Sequence, residues 1–210
     1  MRPVREEPPL DIAVLVSGTG TNLQALLDGV HGREAQIVGV ASSVAGAPAL
    51  QRAIGKGVPA AVFARSEYPD RKVRDESMAD WLEARGAHLI VLAGYMELLS
   101  EVFLERWPGA VINVHPSLLP DFPGLHAIEQ AIEHGAETFG VTVHFVDKGI
   151  DTGPVILQEA VQLPGMSDPS EVRKALRPLE HSLLVDAVRL FARGALSMDP
   201  ENPRRVVIDR

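Results

Sequence analysis

Ile12-Ala13-Val14-Leu15-Val16-Ser17-Gly18-Thr19-Gly20-Thr21-Asn22-Leu23 decides the fold. The first five residues form a short continuous apolar run that stops at Ser17-Gly18, the pattern of a strand buried on both faces. Leu23, Leu26, Leu27 and Val30 then recur at three- and four-residue steps, as one face of a helix does. Similar apolar runs return at Ile37 to Ala41, Ala60 to Phe63, Leu89 to Ala93 and Val111 to Val114. Helical spacing lies between them, for example Val73, Met78, Trp81 and Leu82. Strand and helix alternate, which predicts an α/β fold: a mostly parallel twisted sheet with helices on both faces and ligands in the crevice at the strands' carboxyl ends.

After Phe139 the pattern changes. Val141 to Phe145 and Val155 to Gln158 read as two more strands joined by Asp147 to Pro154, a hairpin or edge extension. Ser167-Asp168-Pro169 opens a helical stretch carrying Val172, Leu176, Leu183, Leu184, Val188 and Phe191, which Pro178 should kink or split. The organisation expected is a tail over 1–10, one domain over 11–194 and a polar, peripheral tail over 195–210.

A chain of 210 residues suits a single domain. The absence of cysteine removes disulfides, thiolate metal sites and a cysteine nucleophile, and fits a cytoplasmic protein. A net charge of −8 opposes non-specific attraction to nucleic acid or an anionic membrane. No stretch approaches the ~20 apolar residues of a membrane span.

Ser17 to Asn22 links strand to helix, so its glycines allow a tight turn while free amides at the helix start face an anion. The loop lacks the dinucleotide fingerprint, since Leu23 stands at the third glycine position and the next strand ends in Ser42-Ser43 without a ribose-binding acid. A single-phosphate site and an ordinary turn both remain open.

Alternation along Val111 to His115 puts Asn113 and His115 on one face near the carboxyl end of that strand. Proline-framed His115 to Pro120 and Phe122-Pro123-Gly124 form a stiff wall, and Asp151 lies in the turn-rich Gly149 to Pro154. Carboxamide, imidazole and carboxylate suit acyl transfer to an amine, which generates an oxyanion and releases a proton. Asn113 and protonated His115 would donate to the oxyanion, and Asp151 would favour the imidazolium and pass the proton on. Satisfied structural polar groups are the alternative. His31, His88, His134 and His181 have no metal-ligand spacing and read as surface or capping residues, with no metal expected; His126 and His144 are neighbours of the pocket.

Taken together, Ser-Gly-x-Gly-x-Asn-Leu at Ser17 to Leu23, Ala-Gly-Tyr-Met at Ala93 to Met96, Asn-Val-His-Pro-Ser-Leu-Leu-Pro at Asn113 to Pro120 and Asp-x-Gly-Pro-Val-Ile at Asp151 to Ile156 resemble the phosphoribosylglycinamide formyltransferase family. The motifs stand in family order and span Asp11 to about Phe191. The resemblance implies the formyltransferase fold, Rossmann-like in its N-terminal half with a C-terminal strand and helix extension. It implies transfer of the formyl group of 10-formyltetrahydrofolate to the amine of glycinamide ribonucleotide in purine synthesis; the sequence leaves monomer and homodimer both open. By family position Asn113, His115 and Asp151 would be catalytic, and Gly18, Gly20, Thr21, Asn22 and Glu180 would bind the ribonucleotide. The folate would lie against Arg71, Met96, Glu97, Leu98, Leu99, Asp147, Lys148, Gly149, Ile150 and Asp151.

Two positions depart from the pattern. Glu97 stands where the family commonly has a basic residue, and Arg177-Pro178-Leu179 replaces a glutamine-containing approach to Glu180-His181. Competing readings are a formyltetrahydrofolate hydrolase, whose usual N-terminal regulatory domain has no counterpart in the sequence, and methionyl-tRNA or sugar-nucleotide formyltransferases. A non-catalytic folate or nucleotide binding module and a dinucleotide dehydrogenase are further alternatives.

Overall fold

In the computed structural model, residues 9–202 and 204–209 are described. Strand β1 (Leu10–Val16) lies mid-sheet because every side chain from Ile12 to Val16 is fully buried. Helix α1 (Thr21–Gly29) leads to β2 (Ala35–Ser42), and α2 (Pro48–Gly55) to the short β3 (Ala60–Val62). The chain then returns through α3 (Arg71–Glu83) to β4 (Leu89–Leu92), on the other side of β1, and through α4 (Glu101–Leu104) to β5 (Val111–His115). All these strands are parallel.

After α5 (Ala127–Glu133), β6 (Thr138–Phe145) and β7 (Val155–Gln162) extend the sheet as the expected antiparallel hairpin. The seven-stranded order is β3-β2-β1-β4-β5-β6-β7.

Alternation along β1 feeds a core on each face. Ile12, Val14 and Val16 pack with Leu23 and Leu26 of α1 and with Val172, Leu176 and Leu184 of α6 (Pro169–Ala192). Ala13 and Leu15 pack with Met78 and Leu82 of α3, Phe103 of α4 and Trp107. Each buried leucine or isoleucine adds about 1.5–3 kcal/mol of transfer free energy, so the two layers fix the strand ends that carry the site.

One expectation is narrowed and another needs revision. Pro178 does not split the last helix, which runs unbroken for 24 residues. Pro178 and Lys174 are both exposed, so water can satisfy the Lys174 carbonyl that the proline leaves without an N–H. Beyond α6 the segment read as a polar tail forms a hairpin of β8 (Leu196–Met198) and β9 (Val206–Ile208), bridged to β7 through Arg205 and Val155. Leu196 and Val206 pack on the core and account for its folding back. Of the N-terminal tail, residues 1–8 lie outside the described residues, and Leu10 already belongs to β1.

Candidate active site

The strand order reverses between β1 and β4, since β2 and β3 lie on one side of β1 while β4 and β5 lie on the other. At such a switch point the loops leaving adjacent strands diverge and open a crevice. The loops after β1 and β4 and the end of β5 all meet there. A cleft of about 630 Å³ opens beside them, the size of a small-molecule site, and Asn113, His115 and Asp151 all line it.

Asn113 lies opposite His144 across the β5–β6 pairing, and His115 lies opposite Thr142. The Asn113 amide donates to Asp151 Oδ1 at 3.3 Å and stands 3.3 Å from His144 Nε2. Asp151 Oδ2 stands 3.4 Å from His115 Nδ1 and accepts the Gly124 N–H at 2.8 Å, while Oδ1 stands 3.4 Å from His144 Nε2. A carbonyl only accepts, so His115 Nε2–H donates to Phe122 O at 2.9 Å and His144 Nδ1–H to Phe145 O at 2.8 Å. Both rings therefore turn their other nitrogen toward Asp151. Once protonated there, His115 becomes a cation held between a carbonyl and a carboxylate.

Burial alone would push the Asp151 carboxyl up, yet the bonds from His144 and the Gly124 amide and the charge of His115 together hold it down at about 2. Asp151 is thus a carboxylate at any physiological pH. Its backbone sits in the left-handed region at φ 52°, as do Phe122 at 52° and His126 at 68°. Such conformations cost non-glycine residues roughly 1 kcal/mol or more and persist where surrounding contacts impose them. Here they aim the Phe122 carbonyl and the Asp151 carboxylate at His115.

The turn carrying Asp151 is fastened at both ends. Asp147 Oδ1 accepts from Gly149 N at 2.9 Å and Thr152 Oγ1 at 2.7 Å. Gly153 packs so closely on the Phe145 carbonyl that an added Cβ would collide with its oxygen, the atom that accepts the hydrogen bond from His144 Nδ1–H. Gly153→Ala should therefore displace the Asp151 turn, lowering kcat/KM at least tenfold and stability by roughly 1–3 kcal/mol. Steady-state kinetics with a denaturation curve check this, and wild-type kinetics would contradict it.

The loop after β5 is pinned from beneath by Thr142, whose hydroxyl donates to Ser117 O at 2.7 Å and accepts from Leu119 N at 3.2 Å. These bonds fix the proline-framed loop that carries Phe122. Sequence spacing anticipated a rigid wall; the threonine that pins it is identified by pairing with His115.

The remaining expected site residues fall into two groups. Arg71, Met96, Glu97, Leu98, Leu99, Asp147, Lys148, Gly149 and Ile150 line the cleft with the three central residues. Met96, Leu98 and Ile150 are exposed apolar groups at its mouth, where a flat apolar ligand could cover them. Gly18, Gly20, Thr21, Asn22 and Glu180 do not line this cleft and form a second cluster beside it.

There Gly20, at φ 73°, turns the chain into α1, and its Cα packs on Ala49 so tightly that a Cβ would lie 2.6 Å from that residue's methyl. Asn22 donates to Glu180 at 3.2 Å, and Asn22 Oδ1 is buried without a partner among the described residues. Burial pushes the Glu180 carboxyl up, against Asn22, Arg173 and Arg177. The two clusters are joined by Ser17, whose N–H donates to Gly94 O at 3.0 Å and whose hydroxyl accepts from Met96 N at 2.9 Å.

Sequence reasoning left His144 as a mere neighbour, and it stands inside the central hydrogen-bond set. Strand register was the missing signal, because the β5–β6 pairing cannot be read from either strand alone. Arg173 and Leu125 also line the cleft and were not anticipated.

The formyl transferase family model matches residues 10–188. A phosphoribosylglycinamide formyltransferase of Haemophilus influenzae is 39% identical over 189 residues, covering 89% of each chain. The trifunctional purine biosynthetic protein adenosine-3 of Drosophila pseudoobscura pseudoobscura is 42% identical over 194 residues, but this chain spans only 14% of that protein's length. The crystal structure of glycinamide ribonucleotide transformylase 1 from Symbiobacterium toebii superposes with a TM-score of 0.92 at 43% identity, covering 96% of this chain and 95% of that one. With sequence match, fold and site motifs in agreement, the chain belongs to the formyl transferase family, in the branch of the phosphoribosylglycinamide formyltransferases.

Proposed function

We propose that the protein transfers the formyl group of 10-formyltetrahydrofolate to the amine of glycinamide ribonucleotide, a step of purine synthesis. The observation that supports this reading is that Asn113, His115 and Asp151 line an apolar-mouthed cleft, which Ser17 ties to a glycine loop backed by Asn22 and Glu180. Donor and acceptor would meet over the three central residues.

The cleft's exposed Met96, Leu98 and Ile150 suit the flat pterin face of a folate, with Arg71 and Lys148 near the mouth for its carboxylates. On the other side, the first amides of α1 suit the ribonucleotide phosphate, and Asn22 Oδ1 and Glu180 suit hydroxyl donors of the ribose.

In the chemistry, the amine nitrogen forms a bond to the formyl carbon, whose oxygen becomes an oxyanion. Asn113 Nδ2–H and His115 Nδ1–H donate to that oxygen. Their present contacts at 3.3–3.4 Å hold both groups in place and are long enough to be traded for a stronger acceptor. Collapse breaks the carbon bond to the folate nitrogen, which takes up a proton while the amine loses one. Asp151 orients His115 and receives the amine proton through water.

Removing an acceptor-side contact should separate the two clusters. Asn22→Ala should raise KM for glycinamide ribonucleotide at least tenfold and leave KM for the folate donor within about twofold, from loss of hydrogen bonds worth ~1.5 kcal/mol or more. Initial rates over a grid of both substrates measure it. A rise in the donor's KM alone would reverse the assignment.

A further inference from the structure

Arg74 lies within α3, is only 1% exposed and takes no part in lining the cleft. Its guanidinium donates twice to Asp75 Oδ1, at 2.9 and 2.8 Å, once to Glu97 Oε2 at 3.2 Å and once to the Leu98 carbonyl at 3.3 Å. Asp75 is fully buried, and its second oxygen accepts the Ser100 N–H at 2.6 Å. The Tyr95 hydroxyl, buried and without a hydrogen-bond partner among the described residues, lies in the field of the same three charges.

One cation thus serves two carboxylates and a carbonyl, and every one of those bonds ends on the segment Glu97 to Ser100 or on the residue that holds it. That segment needs such fastening. Met96 and Leu98 are 59% and 54% exposed, so burial of these side chains does little to give the loop its shape. Without the guanidinium, Glu97 and Asp75 would face each other as like charges, one of them fully buried, and the loop would be pushed off α3.

We infer that Arg74 is a positioning residue for the formyl donor, holding the loop Met96 to Leu99 in its receptive shape through Glu97, Leu98 and Asp75 without touching either substrate. The inference rests on the reading of that loop as the folate wall. It also accounts for Glu97: an acid at the mouth of a site for an anionic ligand is neutralised from beneath by a cation in the neighbouring helix.

Arg74→Lys keeps the charge and loses the planar fork that reaches several acceptors at once. Hydrogen exchange of a peptide covering residues 95–100, in the free protein, should quicken at least tenfold while exchange in β1 and β4 is unchanged. KM for 10-formyltetrahydrofolate should rise at least fivefold, with kcat and KM for glycinamide ribonucleotide within about twofold. Glu97→Gln, which removes one partner and leaves the Arg74–Asp75 pair intact, should shift exchange and donor KM in the same direction by a smaller factor. It carries the test if Arg74→Lys does not fold.

Unchanged exchange with unchanged donor KM overturns the inference, as does a parallel loss in kcat and both KM values. If the wild-type enzyme does not saturate with the donor, the folate reading falls, while the exchange measurement still decides whether Arg74 holds the loop.

Discussion

Asn113→Ala should lower kcat by at least a hundredfold while the protein remains folded. The carboxamide offers N–H groups at the end of β5, where alternation and pairing with β6 hold it against Asp151 and His144. A preorganised donor to an oxyanion contributes about 3 kcal/mol to the transition state, equivalent to two orders of magnitude or more in rate. Alanine keeps the backbone ladder, and the strand is anchored by Ile112 and Val114 in the core, so the melting temperature should move only a few degrees. Substrate KM values should change little, because the lost interaction strengthens only as the oxygen gains charge. Turnover within threefold of wild type would remove Asn113 from the oxyanion site.

On the proposed mechanism Asp151→Asn should cost two to four orders of magnitude in kcat, since it would remove both the charge that faces His115 and the acceptor for the amine proton. It also has a stability signature whose sign is fixed by the carboxyl's position. The folded carboxyl is held down at about 2, below the 3.8 of an ordinary aspartate, so the folded state binds the proton less readily than the unfolded chain. Its contribution is therefore fully present above about pH 4 and is lost as pH falls through about 2. At neutral pH the shift corresponds to about 2 kcal/mol, and the side chain is only 14% exposed, so solvent screening removes little of it. Urea denaturation of the two proteins from pH 7 to pH 2 should show a gap that closes in that window. A gap independent of pH would mean that Asp151 is not held by these contacts.

The parts of the molecule legible in sequence are those dictated by local pattern. Strands β1, β2, β4 and β5 are buried on both faces and read as apolar runs, and the tight turn at Gly20 follows from its glycines. Asn113 and His115 share a face by simple alternation. What was not legible depends on pairing across the chain. His144 enters the site only through the register of β6 against β5.

Arg74 and Asp75 sit in Arg71-Lys72-Val73-Arg74-Asp75-Glu76, a charged run like any solvated helix face, while Val73, the apolar member, is 37% exposed. Only the loop after β4, folding over α3, makes that pair a buried one. The β8–β9 hairpin was hidden for a related reason: three-residue strands flanked by Pro200 and Asn202 carry too little periodicity to stand out from a tail.

The same geometry bears on Glu97, which stands where the resemblance led one to expect a basic residue. The acid does not stand free in the cleft lining, because Arg74 reaches it from α3 at 3.2 Å. The Arg177-Pro178-Leu179 departure is accommodated in a continuous helix that still brings Glu180 to Asn22.

On the proposed function the formyl group leaves the folate for an amine held at the glycine loop. Tetrahydrofolate release from 10-formyltetrahydrofolate, followed with purified protein with and without glycinamide ribonucleotide while the formylated ribonucleotide is quantified, decides this. Release should occur only with the ribonucleotide present, in a one-to-one ratio with formylated product. Release at the same rate without it, or without formylated product, would show that water is the acceptor and overturn the proposal.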